Sequence, residues 1–333
     1  MGKAAPRGGR TTLTGEMTIT ALLFDADGQD AQLDWTGTLP PLKPHQLLWL
    51  DLEAEPAESE QAVLAVLPLD PTDQAALHRH TPGPRLLYRT DHTQLSVNTP
   101  PEQSAQAPVR ILAAKNLVVT LHAEPAPFLK ALHHQLRGDT QLGQLDAAAF
   151  LAVLLNYHLE SYYALLSPLE DSIDRLDEHI LRDPARNHLA DLVRLRQRVS
   201  VLRRALGAHR MVYAGLASPE FTVFQGDQPE TLLTRLFQQY QHAYEAISHT
   251  REMVLGSFDL YMTSTGQHTN EIMRVLTVVT VLLGLLGVLA GILGTNFEVG
   301  IFKSGEHGFR VMLAGMLLLL LSIVSLARWR RWL

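Results

Sequence analysis

The chain has 333 residues, 34 acidic against 28 basic side chains, and a formal net charge of -6 at pH 7. It contains no cysteine, which excludes disulfides, thiolate metal sites and redox chemistry through cysteine. The acidic balance gives no reason to expect nucleic acid as a partner. No Ser-His-Asp set and no paired carboxylates stand out either, so the sequence indicates neither an enzyme nor a bound cofactor.

The first half of the chain has the pattern of a mixed α/β domain preceded by a leader. Residues 1–16 are rich in Gly, Arg and Thr and have no apolar core, which excludes a signal peptide and predicts a disordered leader. Either Met1 or Met17 could be the natural start. Residues 17–146 alternate short apolar runs with turn signals, which predicts strands at 19–24, 47–52, 86–88, 95–98, 109–113 and 117–121. Turn and helix signals predict two hairpin turns, at 90–92 and 114–116, and two helices, at 58–67 and 71–80.

Beyond residue 147 the apolar positions change to helical spacing. Residues 147–228 predict an antiparallel helical hairpin that turns at 182–187, with a kink at Pro168 and a second helix over 189–216. Residues 229–274 predict a stalk helix. If this helix continues to residue 293, it is on the order of 95 Å long, and neighbouring subunits are expected to pack around it.

Two uncharged apolar segments lie near the end of the chain. Residues 275–293 are long enough to cross a hydrocarbon core of about 30 Å, and residues 311–327 are just long enough. The connection between them, residues 294–310, is short. The chain is therefore expected to cross the membrane, turn and cross back, so that both termini lie on the same side.

Basic residues predict the orientation of these segments. Arg274 precedes the first and the basic tail at 328–333 follows the second, against Lys303 and Arg310 in the connection. Since cytoplasmic flanks carry the basic excess, we expect a multi-pass protein of the inner (plasma) membrane, with cytoplasmic termini and a periplasmic connection. The tail is also a candidate contact for anionic membrane lipid.

One face of the first span carries small or polar residues. Asn270, Thr277, Gly284 and Gly291 are seven residues apart, so they line up along a helix. Such a stripe is more often a helix-packing surface than a pore, and by itself it leaves both open. Asn296 follows directly after the span, and its carbonyl can accept hydrogen bonds from the water around a cation. This suits Mg²⁺, which dehydrates reluctantly. The stripe is predicted to face a pore axis, with leucines turned away from it: Leu282, Leu286 and Leu293.

Several motifs resemble the CorA family of divalent-cation transporters. They are SFDLY at 257–261, NEIMRVLT at 270–277 and AGILGTNF at 290–297. The resemblance extends to LWLDL at 48–52 and to the helix at 162–181, and it covers almost the whole chain.

The resemblance implies a funnel-shaped homopentamer. Each subunit would have an α/β cytoplasmic domain, a long α-helical stalk that becomes the pore-lining first membrane helix, and a second membrane helix outside it. By this resemblance Gly294, Thr295 and Asn296 occupy the Gly-Met-Asn signature, and Asn296 forms the outer selectivity ring. The transported ion would be Mg²⁺, or a related ion such as Co²⁺ or Ni²⁺.

Four features depart from the family pattern. Thr295 replaces the signature Met, and Leu285 stands about where a proline is usual. The loop after the signature lacks the usual Met-Pro-Glu, which leaves Glu298 and Glu306 to attract cations. Residues 234–240 have no carboxylate where magnesium-gated members sense cytoplasmic Mg²⁺, so control through that site is in doubt.

The departures around the signature resemble the zinc-transporting ZntB branch, whose signature also departs at the middle residue. The leading interpretation remains a divalent-cation channel or transporter, with Mg²⁺ as the first candidate ion. The alternatives are a ZntB-like Zn²⁺ transporter and a non-conducting, membrane-anchored oligomeric binding or signalling protein. The sequence leaves open the preferred ion, proton coupling and the gating signal.

Other polar residues allow two interpretations. Asp259 and Glu271, near the cytoplasmic end of the first span, could form a stalk metal site or could be solvated or paired with Arg. The histidines that invite a zinc site lack a constellation of three or four ligands. They are therefore predicted to lie at the surface or in loops: His78, His80, His133 and His134.

Overall fold

The structure is a computed structural model that describes residues 11–13, 17–26, 30–53, 57–67, 69–78, 83–101, 106–136, 146–221, 223–224, 229–294 and 305–329. The chain divides into two compact units. The first consists of Met1–Ile173 and Val193–Leu255, and the second of Asp174–Leu192 and Gly256–Leu333. Each unit is described below by itself.

The first unit contains one mixed β-sheet. Its described strands are β1 (Thr11–Leu13), β2 (Met17–Asp25), β3 (Ala31–Leu33), β4 (Gln46–Glu53), β5 (Arg85–Tyr88), β6 (His92–Asn98), β7 (Pro108–Ala114) and β8 (Leu117–His122). The order is β1-β2-β4-β8-β7-β6-β5, with β3 also paired to β2. The pair β4–β8 is parallel and the other pairs are antiparallel. All six predicted strands and both hairpins are confirmed.

Two strands lie where none was predicted. β1 falls inside the segment expected to be a disordered leader, where Thr11 to Leu13 pair with Ile19 to Met17 of β2. β3 pairs with the middle of β2. Both have three residues, too few for an alternating pattern to be visible in the sequence, and both exist by pairing with a longer strand.

The central strand β4 is buried on both faces, which explains its uninterrupted apolar run. Leu48, Leu50 and Leu52 point to one face, where they join residues of α1 (Ala57–Leu64) and α2 (Pro71–His78) in the hydrophobic core. Trp49 points to the other face. There it packs against α3 (Pro127–Gln135) and the start of α4 (Ala147–Arg182), with its ring 5.2 Å from that of Phe150.

The remaining helices follow the predicted order with one change. They are α5 (Leu189–Ala208), α6 (Arg210–Leu216), α7 (Pro229–Leu293) and α8 (Glu306–Trp329). α4 runs through Pro168 as one helix. The helix predicted over 189–216 is divided at His209, whose Nδ1 donates to the Ala205 carbonyl at 2.8 Å and so satisfies one of the last carbonyls of α5.

Two helices, α7 and α8, are long and apolar enough to cross a membrane by length and composition. α7 is continuous for 65 residues, from the predicted stalk to the end of the predicted first span. α8 begins at Glu306 and ends at Trp329, so it takes in part of the predicted connection and the start of the predicted tail. Its first turn is held by an ion pair between Glu306 and Arg310, with Nη2 to Oε2 at 3.1 Å.

Candidate pore helix

The cytoplasmic half of α7 has one buried face. In the first unit its buried positions recur every three or four residues, at Leu233, Leu236, Tyr240, Ala243, Ile247, Thr250 and Val254. Tyr240 stacks on Tyr213 of α6 at 4.8 Å between ring centroids, and Thr250 donates to the Glu170 carboxylate of α4 at 2.8 Å. These contacts anchor α7 firmly to the first unit.

In the second unit, α7 also has one covered face. Within the membrane segment, Val278 is buried and Leu282, Leu286 and Leu289 are half-buried. These positions are four, four and three residues apart, so they form one narrow stripe on the helix. The described part of this span therefore packs within the subunit along a single leucine-rich side.

The predicted pore residues lie on the opposite side of α7. Asn270, Thr277, Gly284 and Gly291 are all exposed in the single subunit. At about 100° per residue, Leu282 and Leu286 are turned about 140° and 180° from Thr277, whereas Gly284 is turned by only about 20°. The polar and glycine stripe is thus exposed on the side of α7 opposite the covered leucines.

Three apolar residues complete this exposed stripe and were missed by the seven-residue spacing. Met273, Val281 and Val288 lie between the predicted positions and are 58%, 57% and 62% exposed. With these three residues included, neighbouring members of the stripe are three or four residues apart. The two step lengths alternate, except that two steps of four follow each other. That spacing is the signal of a helix seam that faces other helices, and it could have been seen in the sequence.

Two threonine hydroxyls in this segment donate their hydrogen atoms to carbonyls of the same helix. Thr277 Oγ1 donates to the Met273 carbonyl and Thr280 Oγ1 to the Leu276 carbonyl, both at 2.7 Å. Each oxygen then presents only lone pairs outward. An oxygen of this kind accepts hydrogen bonds from water, which is the polarity that the hydration shell of a cation offers.

The signature residues begin where α7 ends. Gly294 follows the last helical residue, and its N–H donates to the Ala290 carbonyl at 3.0 Å. A Cβ at this glycine would lie 3.3 Å from the same carbonyl oxygen, a close contact. Thr295, Asn296 and Glu298 lie outside the residues that the structure describes. The carbonyl end of a helix has negative potential, which favours a cation nearby.

The carboxylates that were predicted to attract or bind cations lie in different parts of the structure. Glu306 belongs to the first turn of α8 and is paired with Arg310, which lowers its value as a cation attractor. Asp259 is exposed, 18 residues or about five full turns before Thr277, and so lies on the same stripe. Glu271 is exposed but turned about 120° away from it. Among the described residues, no group of three or more His, Asp or Glu could hold a metal ion.

The structure corrects the prediction for His133. Rather than lying at the surface, its ring stacks on Trp49 at 4.2 Å, and its Nε2 is 3.6 Å from Asp51 Oδ2. On the other oxygen, His122 Nε2 is 3.2 Å from Asp51 Oδ1. Burial lowers the pKa of His122, but the hydrogen bond and the charge of Asp51 outweigh it and raise that pKa above its usual value. His134 is exposed as predicted, whereas the His78 side chain and all of His80 lie outside the described residues.

A second histidine pair joins the sheet to the helices of the first unit and had no signal in the sequence. His158 of α4 is within 2.9 Å of the Asn98 carbonyl and 2.8 Å of the Tyr213 hydroxyl. His209 accepts the Asn98 N–H at 2.9 Å. Burial holds the pKa of His158 well below its usual value and lowers that of His209 to about 4. Both rings are therefore neutral structural groups.

The sequence of this chain matches a known protein family. Residues 44–330 match a family described as "CorA-like Mg2+ transporter protein". The chain is 24% identical over 233 residues to the "Cobalt/magnesium transport protein CorA" of Thermotoga maritima, over 68% of this chain and 64% of that protein.

Two solved structures have similar folds. A complete CorA magnesium transporter from Methanocaldococcus jannaschii aligns with a TM-score of 0.70 at 20% identity, over 92% of this chain and 97% of that one. The cytoplasmic domain of ZntB from Vibrio parahaemolyticus aligns with a TM-score of 0.54 at 13% identity, over 76% and 99%. The family match covers most of the chain, so this protein belongs to the CorA-like Mg²⁺ transporter family.

Proposed function

We propose that this chain forms a homopentameric channel or transporter for divalent cations, with Mg²⁺ as the leading ion. It would lie in the inner membrane with both termini in the cytoplasm, and the basic flanks at Arg274 and Arg328 support that orientation. The ion would pass largely hydrated through a pore lined by α7. The observation that carries the proposal is the exposed polar and glycine stripe opposite the covered leucine face of α7.

A single subunit cannot enclose a pore with this stripe. Gly284 and Gly291 have no atom within 4 Å of where a Cβ would stand, so space is open beside them. Helices packed side by side around an axis would close that space while each keeps its leucine face toward the subunit's own core. Membrane helices approach closely where residues are small, which supports symmetric assembly along this stripe.

The chemistry of the stripe suits a hydrated ion. Thr277 offers an oxygen whose donor hydrogen is already used, and Gly284 and Gly291 leave room for the hydration shell. Mg²⁺ keeps several of its waters when it binds, so a lining that accepts hydrogen bonds and does not replace water fits it well. At the mouth, a ring of Asn296 carbonyls would act in the same way.

Zn²⁺ is the second candidate ion. Thr295 occupies the position of the signature Met, and the ZntB branch also departs from the signature at this middle position. Flux of Mg²⁺, Zn²⁺, Co²⁺ and Ni²⁺ into liposomes that contain the purified chain compares the two directly. Uptake of none of these ions would favour the non-conducting alternative.

The proposed role of Asn296 is tested in the same liposomes. Asn296→Ala removes the proposed carbonyl acceptor, so we expect at least a tenfold loss of flux, with assembly checked by mass in detergent. Thr295→Met should retain transport and change the order of preferred ions. Asn156→Ala is the matched control, because within the described part of the chain that amide bonds Glu160 of the same helix, α4, and no other residue. Undiminished flux through Asn296→Ala would reject the selectivity ring, and a monomer or dimer by mass in detergent would reject the pentameric pore.

A further inference from the structure

α8 has two different faces in the subunit. One is covered, with Met312, Met316, Leu319 and Ile323 half-buried and Ala327 buried, at steps of four, three, four and four residues. The opposite face carries a shallow groove, widely open to the outside, with a volume of about 480 Å³ in its last three turns. The groove is lined by Leu318, Leu321, Ser322, Ser325 and Trp329.

The groove exists because two small side chains lie between large ones. Ser322 and Ser325 form its floor, whereas Leu318 is 69% and Trp329 78% exposed at its two ends. Ser322 Oγ donates to the Leu318 carbonyl at 2.8 Å. Its donor is therefore satisfied within the helix, and Ser322 can face hydrocarbon at low cost. From Leu318 to Trp329 the groove is about 16 Å long.

The C-terminal end of the groove is positively charged. Arg328 lies in the last turn of α8, is exposed, and has no carboxylate partner among the described residues. The sequence continues with Arg330 and Arg331, and it contains no Asp or Glu after Glu306. A molecule that fits this face would therefore have an apolar part along the leucines and serines and an anionic group beside Arg328.

We infer that this groove binds an anionic phospholipid, with an acyl chain along Leu318, Ser322 and Ser325 and the phosphate at Arg328. The inference rests on the membrane placement of the proposed function but not on conduction. A basic residue near a membrane surface attracts anionic lipid, and Trp329 at the same level suits the headgroup region. A second copy on this face would bring together basic ends with no acid to neutralise them.

The test measures lipid binding to the full chain, independently of ion flux. Purified protein is titrated with phosphatidylglycerol or phosphatidylcholine, and bound lipid is counted by native mass spectrometry. We expect phosphatidylglycerol to bind at least fivefold more tightly. Arg328→Gln should reduce that preference about fivefold, and Ser325→Leu should fill the groove and weaken both lipids. Arg310→Gln is the matched control, an exposed arginine at the other end of α8 whose loss should leave the preference unchanged.

Three outcomes would overturn the inference. They are equal binding of the two lipids by the wild type, an equal effect of Arg310→Gln and Arg328→Gln, and loss of the oligomer in Ser325→Leu, which would assign this face to subunit contact. If the chain conducts no cation but retains phosphatidylglycerol through Arg328, the proposed function fails and the lipid site stands.

Discussion

Lowering the pH from 7.5 to 5.0 is expected to destabilise the first unit through His209. This ring is fully buried, and its Nε2 accepts the Asn98 N–H while its Nδ1 donates to the Ala205 carbonyl. The bond from Asn98 requires the neutral ring, because Nε2 can accept only while it carries no proton. A proton on Nε2 would remove the acceptor for Asn98 and place a positive charge in the interior.

The size of the effect follows from the two pKa values. Burial lowers the pKa of folded His209 to about 4 from a usual value of 6.5. Because the folded pKa is the lower one, its stability contribution is complete above pH 6.5 and is lost as the pH falls from there toward 4. Each pH unit in this window is worth about 1.4 kcal/mol, so at pH 5.0 the loss is about 2 kcal/mol.

The measurement compares the wild type with His209→Gln, whose side chain is neutral at every pH used and still offers an acceptor oxygen. Thermal unfolding of the full chain in detergent is followed by circular dichroism at each pH. A loss of about 2 kcal/mol corresponds to about 4–8 °C in Tm for a unit of this size. We therefore expect the wild-type Tm to fall by that much more than the variant Tm. Parallel curves for the two proteins would refute the assignment of His209 as a buried neutral acceptor.

Two further predictions concern the pore stripe and the buried ion pair of the first unit. In this cysteine-free chain, water-soluble thiol reagents should reach Gly284→Cys more readily than Leu282→Cys, and the reverse order would show that the facing of α7 is wrong. Glu60→Gln should lower stability by about 3–5 kcal/mol in thermal unfolding, because it leaves the buried Arg110 guanidinium, now 2.8 Å from Glu60 Oε2, without its counter-charge. Glu178→Gln, which breaks an exposed pair, should change stability by less than about 1 kcal/mol, and equal effects of the two would contradict the burial argument.

Local sequence patterns were enough to predict most of the longer strands and helices of this protein. The six longer strands, the two hairpins and the 65-residue helix α7 follow from apolar period and turn residues, which act between neighbours in the chain. The exposure of Thr277 and Gly284, opposite Leu282 and Leu286, also follows from helical spacing alone. These features depend on residues fewer than about ten positions apart, and so they are visible without the tertiary structure.

Tertiary structure decided the features that depend on distant partners. The parallel pairing of β4 with β8 joins segments about 70 residues apart, and the three-residue strands β1 and β3 form only on β2. The division between α5 and α6 occurs at His209, whose ring is bonded to Asn98, a residue 111 positions earlier. His133 is held against Trp49 and Asp51 for the same reason. A single histidine in a sequence has no period, so its burial is determined only by the surfaces that folding brings to it.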